Sequence, residues 1–168
     1  MIRASSPTVW KDRSLVTEYT IVTHDRPVLG VDDVVRVPLD ASWEPVRYED
    51  LAVIRLDDGR TVVSCVPLLV HDVHLGDVIE VSRDASTGRL GFVRRVDRGQ
   101  MWVFRVVAKD EESFRAAHEL IHEYHGAVET WRSITGVAIR GDDAAAEFSG
   151  RLQELEDAGR LDYDTAER

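Results

Sequence analysis

The chain has 168 residues, enough for one large domain or two small ones, and 43% of them are hydrophobic, which suffices for a packed core. No apolar run approaches the roughly 20 residues of a membrane-spanning helix, and the N-terminus lacks the apolar stretch of a secretory signal. The net charge of −10 argues against binding to a phosphate backbone. The single cysteine, Cys65, excludes an internal disulfide. These features predict a cytoplasmic protein without membrane contact.

The first part of the chain is predicted to be β-rich. Residues 1–30 are interpreted as an N-terminal extension with one strand over residues 15–23. Residues 31–100 contain short strands separated by turns, of which Asp58-Gly59 is typical, because both residue types tolerate the backbone of a tight hairpin. Strands at this spacing predict a small curled antiparallel sheet or barrel.

Residues 101–168 show a β-α-β-β-α order. A strand over 102–108 precedes a helix over 111–124, and two short β segments precede a second helix over 144–158. This order predicts a ferredoxin-like half, so the fold class is α+β: a small curled antiparallel β-sheet or barrel followed by a ferredoxin-like β-α-β-β-α unit.

Helical spacing identifies the buried faces of both helices. The apolar residues of the first are Phe114, Ala117, Ile121 and Tyr124, and those of the second are Phe148, Leu152 and Leu155. Asp142 or Asp143 is expected to cap the second helix, and Glu147 is expected to pair with Arg151 on its exposed side.

The predicted C-terminal sheet has three strands where a complete ferredoxin-like sheet has four. Its open edge needs a cover, and the strand at residues 15–23 is the expected one. Residues 109–168 carry fifteen acidic and seven basic residues, so a twin chain would be repelled. We therefore expect a monomer rather than a homodimer.

A series of short motifs resembles a known family. The motifs occur in the order Val35-Arg36-Val37-Pro38, Trp43-Glu44-Pro45-Val46, Leu51-Ala52-Val53, Asp58-Gly59, Val66-Pro67, Val73-His74-Leu75-Gly76-Asp77-Val78 and Gly88-Arg89-Leu90 with Phe92. Together they resemble the bacterial domain of unknown function 4265 over roughly residues 33–165. The resemblance implies the architecture and no catalytic residues. The C-terminal half, through its strand order and its acidic end Leu161-Asp162-Tyr163-Asp164, also resembles ferredoxin-like regulators of bacterial ribonucleases.

One helix carries a literal His-Glu-x-x-His motif. His118 and His122 stand one helical turn apart, as zinc ligands do in metallohydrolases, with Glu119 as the catalytic base and His125 within reach. No third ligand or cleft is marked in the sequence, and a helix C-terminus favours histidine by its dipole alone. We therefore predict no metal and no catalytic residue, and keep a zinc-dependent hydrolase as the alternative. No glycine-rich phosphate loop or dinucleotide fingerprint occurs, so no cofactor is predicted.

Five residues are predicted to bind a partner. Aromatic and arginine side chains anchor many interfaces, and those singled out are Trp43, Tyr48, Arg94, Arg95 and Trp102. Arginines interleaved with aromatics also suit single-stranded nucleic acid, but the acidic balance makes nucleic acid an unlikely ligand. The sequence thus predicts a non-enzymatic regulatory protein that contacts another protein, such as an immunity-type inhibitor of a basic toxin. A regulator or binder of RNA machinery is the other alternative.

Overall fold

A computed structural model describes residues 20–165, which form two sheets and two helices. The strands of the first sheet are β1 (Thr20–Thr23), β2 (Asp33–Pro38), β3 (Val46–Arg55), β4 (Thr61–Val63), β5 (Val78–Arg83) and β6 (Leu90–Asp97). The second sheet and its helices are β7 (Met101–Ala108), α1 (Glu111–Glu123), β8 (Ala127–Trp131), β9 (Ile134–Arg140), α2 (Asp142–Asp157) and β10 (Leu161–Thr165). A 3-10 turn, Ala41–Trp43, joins β2 to β3. None of the helices in this part of the chain is both long and apolar enough to cross a membrane.

The first sheet closes into a barrel, as predicted, and this barrel has five strands. It is not wholly antiparallel as expected, since one of its pairings is parallel. Its strands follow the order β3-β2-β6-β5-β4, and β4 pairs again with β3. The first and last strands of the barrel, β2 and β6, pair in parallel over a short stretch that joins Val35 to Leu90 and Arg36 to Gly91. The barrel core includes the fully buried Leu51, Val53 and Val63.

The second sheet is antiparallel, with the strand order β10-β7-β9-β8. Both helices pack on one face of it, over a core that contains Phe104, Ile139, Phe148 and Leu161. The opposite face, which includes Val103 and Ala138, packs against residues of the barrel and its loops. The sheet therefore lies between the helices and the barrel.

The expected cover for the edge of the second sheet is wrong. Thr20–Thr23 pairs in parallel with β3, outside the barrel, and residues 15–19 lie outside the described residues. The chain supplies a fourth strand of its own, because residues 161–165 pair with β7. The expectation of three strands missed this segment, since it is short and carries alternating aspartates.

The buried face of α1 also differs from the expectation. Ala117 and Ile121 are buried as predicted, but Phe114 is 41% exposed. The core-facing stripe runs instead through Ser113, Ala117, Leu120 and Ile121, which turns Phe114 to the boundary with solvent.

In α2, Phe148 and Leu152 are fully buried, in agreement with the predicted register. The predicted aspartate cap is wrong: Gly141, with φ of 86°, is the N-cap, and Asp142 accepts a hydrogen bond from the Trp102 indole instead, at 2.9 Å. The predicted pair is also different, since Arg151 reaches Glu154, one turn towards the C-terminus, at 3.4 Å.

The connection between β4 and β5 joins the two sheets. Residues 64–70 are irregular in conformation and entirely buried. Val66 packs with Val103 of β7, and Leu68 packs beside Ile134 of β9. At Gly136, an added Cβ would lie 3.0 Å from side-chain atoms of both Val66 and Leu68. The segment therefore approaches β9 so closely that a side chain at this position forces its neighbours to move.

We expect Phe148→Ala to lower the free energy of unfolding by about 3–5 kcal/mol, because it empties a fully buried site. Phe114→Ala removes a half-solvated ring and is expected to cost about 1 kcal/mol or less. Urea denaturation of both variants measures the difference, and equal losses would show that the orientation of α1 is wrong.

Two glycines give a matched pair of substitutions. Gly136→Ala is expected to cost about 1–3 kcal/mol, because the added methyl group overpacks the contact with residues 64–70. Gly150→Ala, where α2 leaves open space, is expected to gain about 0.5–1 kcal/mol from higher helix propensity. Urea denaturation measures both changes in the free energy of unfolding, provided that its dependence on urea concentration is the same in all variants. A stabilising Gly136→Ala would contradict the close approach.

Candidate functional site

Glu49 is the centre of a buried polar cluster. Its side chain, on β3, is fully buried and accepts hydrogen bonds from the backbone N–H groups of Leu68 (2.6 Å), Leu69 (2.8 Å) and Val70 (2.7 Å). An irregular buried segment cannot satisfy its N–H groups by pairing within a sheet, so a side chain must accept from them. Glu49 does this for three consecutive residues.

His24 bridges two carboxylates in the same cluster. It follows β1, and its side chain is fully buried. Its Nε2 lies 3.0 Å from Oε1 of Glu49, and its Nδ1 bonds to Oε2 of Glu129 on β8. The other oxygen of Glu129 accepts from the backbone N–H of Val66 at 2.9 Å. One imidazole thus connects the N-terminal strand, the barrel and the second sheet.

Arg105, on β7, contributes a positive charge to the cluster and binds the carbonyl oxygens of the same buried segment. It is 4% exposed, and its Nε donates to the carbonyl oxygen of Leu68 at 2.9 Å. Its Nη2 donates to the carbonyl of Val70, and its Nη1 to Asp164 of β10 at 3.2 Å. Carboxylates therefore accept from the N–H groups of the buried segment, while a guanidinium donates to its carbonyls.

The charge states of this cluster follow from its contacts. Burial opposes a charge on His24, but hydrogen bonds with Cys65, Glu129 and Glu49 outweigh it and raise the pKa of this imidazole well above 6.5. Burial also opposes a charge on Glu49, yet its bonds to His24 and to the backbone hold the pKa of the carboxyl below its usual value. Burial raises the pKa of the Cys65 thiol. The cluster is an imidazolium between carboxylates beside a protonated thiol, which suits joining the two sheets rather than accepting a proton or attacking a substrate.

Trp43 lines a groove beside this cluster. The groove encloses about 210 Å³ between the 3-10 turn and the second sheet. Its walls include Leu68, Val107 and Ile134, and Asp162 and Asp164 of β10 border it. The His71 ring stacks on the Trp43 indole, with centroids 6.5 Å apart. Tyr48, predicted to bind together with Trp43, lies elsewhere, under the guanidinium of Arg36 at 5.2 Å.

The remaining predicted binding residues do not form one surface. On β6, Arg94 pairs with its cross-strand neighbour Glu80 at 2.7 Å, and Arg95 donates to the backbone oxygen of Asp72 at 3.0 Å. Trp102 lines a different groove of about 210 Å³, against α2. Arginines and aromatics are therefore distributed over the barrel and the second sheet.

The alternative zinc residues lie along α1. The half-buried His118 packs its ring on Phe114, with centroids 4.2 Å apart. His122 and His125 are exposed, with ring centroids 6.5 Å apart, and Glu119 points to solvent as well. Within residues 20–165, no three His, Cys, Asp or Glu side chains converge as metal ligands would.

Sequence reasoning missed the cluster around Glu49. His24 is 25 residues from Glu49 and 105 residues from Glu129, so no local spacing joins them. Residues 46–54 contain three charged residues, Arg47, Glu49 and Asp50, so the local pattern does not mark Glu49 as the buried one.

The raised pKa of His24 makes stability depend on pH. Folded His24 keeps its proton, whereas unfolded His24 releases it near pH 6.5. Its contribution is complete below that pH and is lost as the pH rises towards the folded pKa. Between about pH 7 and 8, the wild-type free energy of unfolding should fall by up to about 1.4 kcal/mol per pH unit relative to His24→Gln.

His122→Gln serves as the matched control, because this histidine is exposed on α1 and lies outside the cluster. The control is expected to keep the wild-type dependence on pH in urea denaturation. If His24→Gln keeps that dependence as well, the imidazolium between the two glutamates is not the group responsible.

The chain resembles a solved structure in its fold and a known family in its sequence. A crystal structure of a hypothetical protein from Neisseria gonorrhoeae superposes with a TM-score of 0.67, covering 82% of this chain and 95% of that one. The two share 18% sequence identity, so the likeness shows a common fold alone. No curated protein matches the chain. The profile of a domain of unknown function, DUF4265, matches residues 49–163, which include Glu49, Arg105 and Glu129. The chain therefore belongs to the DUF4265 family.

Proposed function

We propose that this protein is a non-enzymatic, cytoplasmic regulator that binds a basic partner protein. An immunity-type inhibitor of a basic toxin is one concrete form of this function. The observation that carries the proposal is the concentration of acidic residues on the layer formed by α1 and α2, which we call the helix layer. The two helices contain ten acidic and two basic residues, so they account for −8 of the net charge of −10.

The position of the helix layer supports a role in binding. The helices cover the face of the second sheet opposite the barrel, so their outer sides face solvent. Nine of the ten acidic residues are exposed: Glu111, Glu112, Glu119, Glu123, Asp142, Asp143, Glu147, Glu154 and Asp157. Both helical arginines are engaged by neighbouring glutamates, Arg115 by Glu111 and Arg151 by Glu154.

A surface of one charge sign has defined consequences for association. Its negative potential accelerates encounters with a positively charged protein and repels acidic molecules, including nucleic acids. Screening by salt weakens this attraction beyond about 10 Å at 0.1 M ionic strength. A partner held in this way therefore dissociates as salt is raised.

We also infer that the C-terminal unit is of the ferredoxin-like class. Its β-α-β-β-α-β succession and its strand order, with β7 and β9 central and β10 and β8 at the edges, support this inference. Because units of this class serve many functions, the class says nothing about binding. The proposed binding role rests on the charge of the helix layer alone.

The proposal is tested by affinity capture from the native host with charge-neutral variants. The helix variant carries Glu111→Gln, Glu119→Gln, Glu123→Gln and Asp143→Asn. The barrel variant removes the same number of exposed charges through Asp25→Asn, Glu44→Gln, Asp57→Asn and Asp72→Asn. The wild type and the barrel variant are expected to retain the same basic protein, which salt releases, and the helix variant is expected to lose it.

The capture is repeated with the purified partner, and the dissociation constant is measured at two salt concentrations. Equal affinity of the helix and barrel variants would show that the helix layer is not the binding surface. A ligand that proves to be acidic, or failure of the wild type to bind any protein, would overturn the proposed function.

A further inference from the structure

The outer edge of β10 is accessible over its C-terminal part, at Tyr163 and Thr165. β10 pairs with β7 on one side and with no other strand in the part of the chain that the structure describes. The backbone of Arg160 bonds to Lys109 on the β7 side, whereas the N–H of Tyr163 donates outward to Glu156 at 3.2 Å. Because these directions alternate along a strand, the outward groups belong to Leu161, Tyr163 and Thr165. Leu161 is fully buried, so the groups that a partner can reach are those of Tyr163 and Thr165.

A groove lies on each face of the sheet beside this edge. On the barrel face, Asp162 and Asp164 border the groove that contains Trp43. Asp162 is the cross-strand neighbour of Val107, which is the neighbour of Ile134, so these three residues form a row across the sheet. We call this the Trp43 groove. A long side chain entering over Asp162 would reach the indole through this row.

The second groove lies on the helix face, at the other end of β10. It is lined by Trp102, Phe104, Ala145, Ala146 and Thr165, with Asp142 at its border. We call this the Trp102 groove. Its small and aromatic lining suits an aliphatic side chain of modest size.

The charge at this edge is predominantly negative. Asp162 and Asp164 are 67% and 52% exposed, whereas Arg105, the cation bonded to Asp164, is 4% exposed. The last turn of α2 adds Glu156 and Asp157 and contains no basic residue, and the helix C-terminus contributes its own negative dipole. Two cations lie nearby: Lys109, 45% exposed, pairs with Asp162 at 3.0 Å, and Arg160, 33% exposed, pairs with Glu112 at 3.1 Å.

We propose that an extended, basic segment of the partner protein adds a strand to β10. Main-chain hydrogen bonds to the outward groups of the strand would provide affinity, and alternate side chains would provide specificity. Lysines or arginines would face Asp162 and Asp164 and extend towards Trp43, where a cation over an indole is favourable. The intervening aliphatic residues would face the Trp102 groove. This inference rests on the proposed function, whose partner it describes.

A second copy of the chain fits this edge less well. Two β10 strands paired in a symmetric dimer would bring Asp162 and Asp164 of both copies onto one face, and like charges on neighbouring strands are destabilising. In the free protein, the Glu156 carboxylate accepts the hydrogen bond of the Tyr163 N–H and so protects the edge against such pairing. A basic strand would draw this carboxylate away from the N–H.

The test uses two synthetic peptides of identical composition, one alternating lysine and valine over seven residues and one with four lysines followed by three valines. Their dissociation constants are measured with the full chain by calorimetry, and amide exchange is followed at the exposed Thr165. The alternating peptide is expected to bind at least about tenfold more tightly than the block peptide and to protect this amide.

Asp162→Asn with Asp164→Asn removes the two charges and keeps an acceptor for Arg105. This variant is expected to weaken the alternating peptide by about tenfold, whereas a control with Asp57→Asn and Asp72→Asn keeps wild-type affinity. Equal binding of the two peptides, equal affinity of the two variants or an unprotected Thr165 amide would overturn the β10 site. Capture of the host partner at wild-type affinity by the variant with Asp162→Asn and Asp164→Asn would also overturn the β10 site. That result would leave the proposed binding role of the helix layer intact.

Discussion

Residues 64–70 lie between the barrel and the second sheet without regular secondary structure, so their N–H and C=O groups must find partners away from water. Glu49 and Glu129 accept from the N–H groups, and Arg105 donates to the carbonyls. Each of these charges is itself buried or nearly so and needs a counter-charge, which His24 provides for the glutamates. The tight approach of the segment to Gly136 is possible because β9 presents no side chain there.

The distribution of charge divides the molecule into regions with different roles. The charges around residues 64–70 bond to one another and to backbone, so they serve the junction between the sheets. Exposed arginines of the barrel, such as Arg94, meet carboxylates on adjacent strands. The carboxylates of α1 and α2 greatly outnumber the cations beside them, so most of the unbalanced charge of the chain lies on these two helices.

Local patterns predicted the barrel strands, both helices and the register of α2, because turn residues and helical periodicity are properties of neighbouring residues. They placed Phe114 in the core because an aromatic residue at helical spacing fits a buried stripe, but Ser113 and Leu120 shift that stripe in the folded chain. They missed β10 because it has only five residues and because aspartate is disfavoured in strands, although its apolar and polar residues do alternate. They missed the pairing of His24 with Glu49 and Glu129 because only the packing of two sheets brings these residues together. Trp43 was identified from its residue type alone, whereas the groove that it lines depends on both sheets.

The shared segment also bears on how such a protein evolves. Domains that recombine freely each enclose their own polar groups, so either can be exchanged without exposing the other. Here the barrel contributes the segment, the second sheet contributes Arg105 and Glu129, and separation would leave charges on one side and unpaired backbone on the other. The barrel and the α+β unit therefore depend on each other at this junction, and exchange of either half alone would leave the buried segment without its partners.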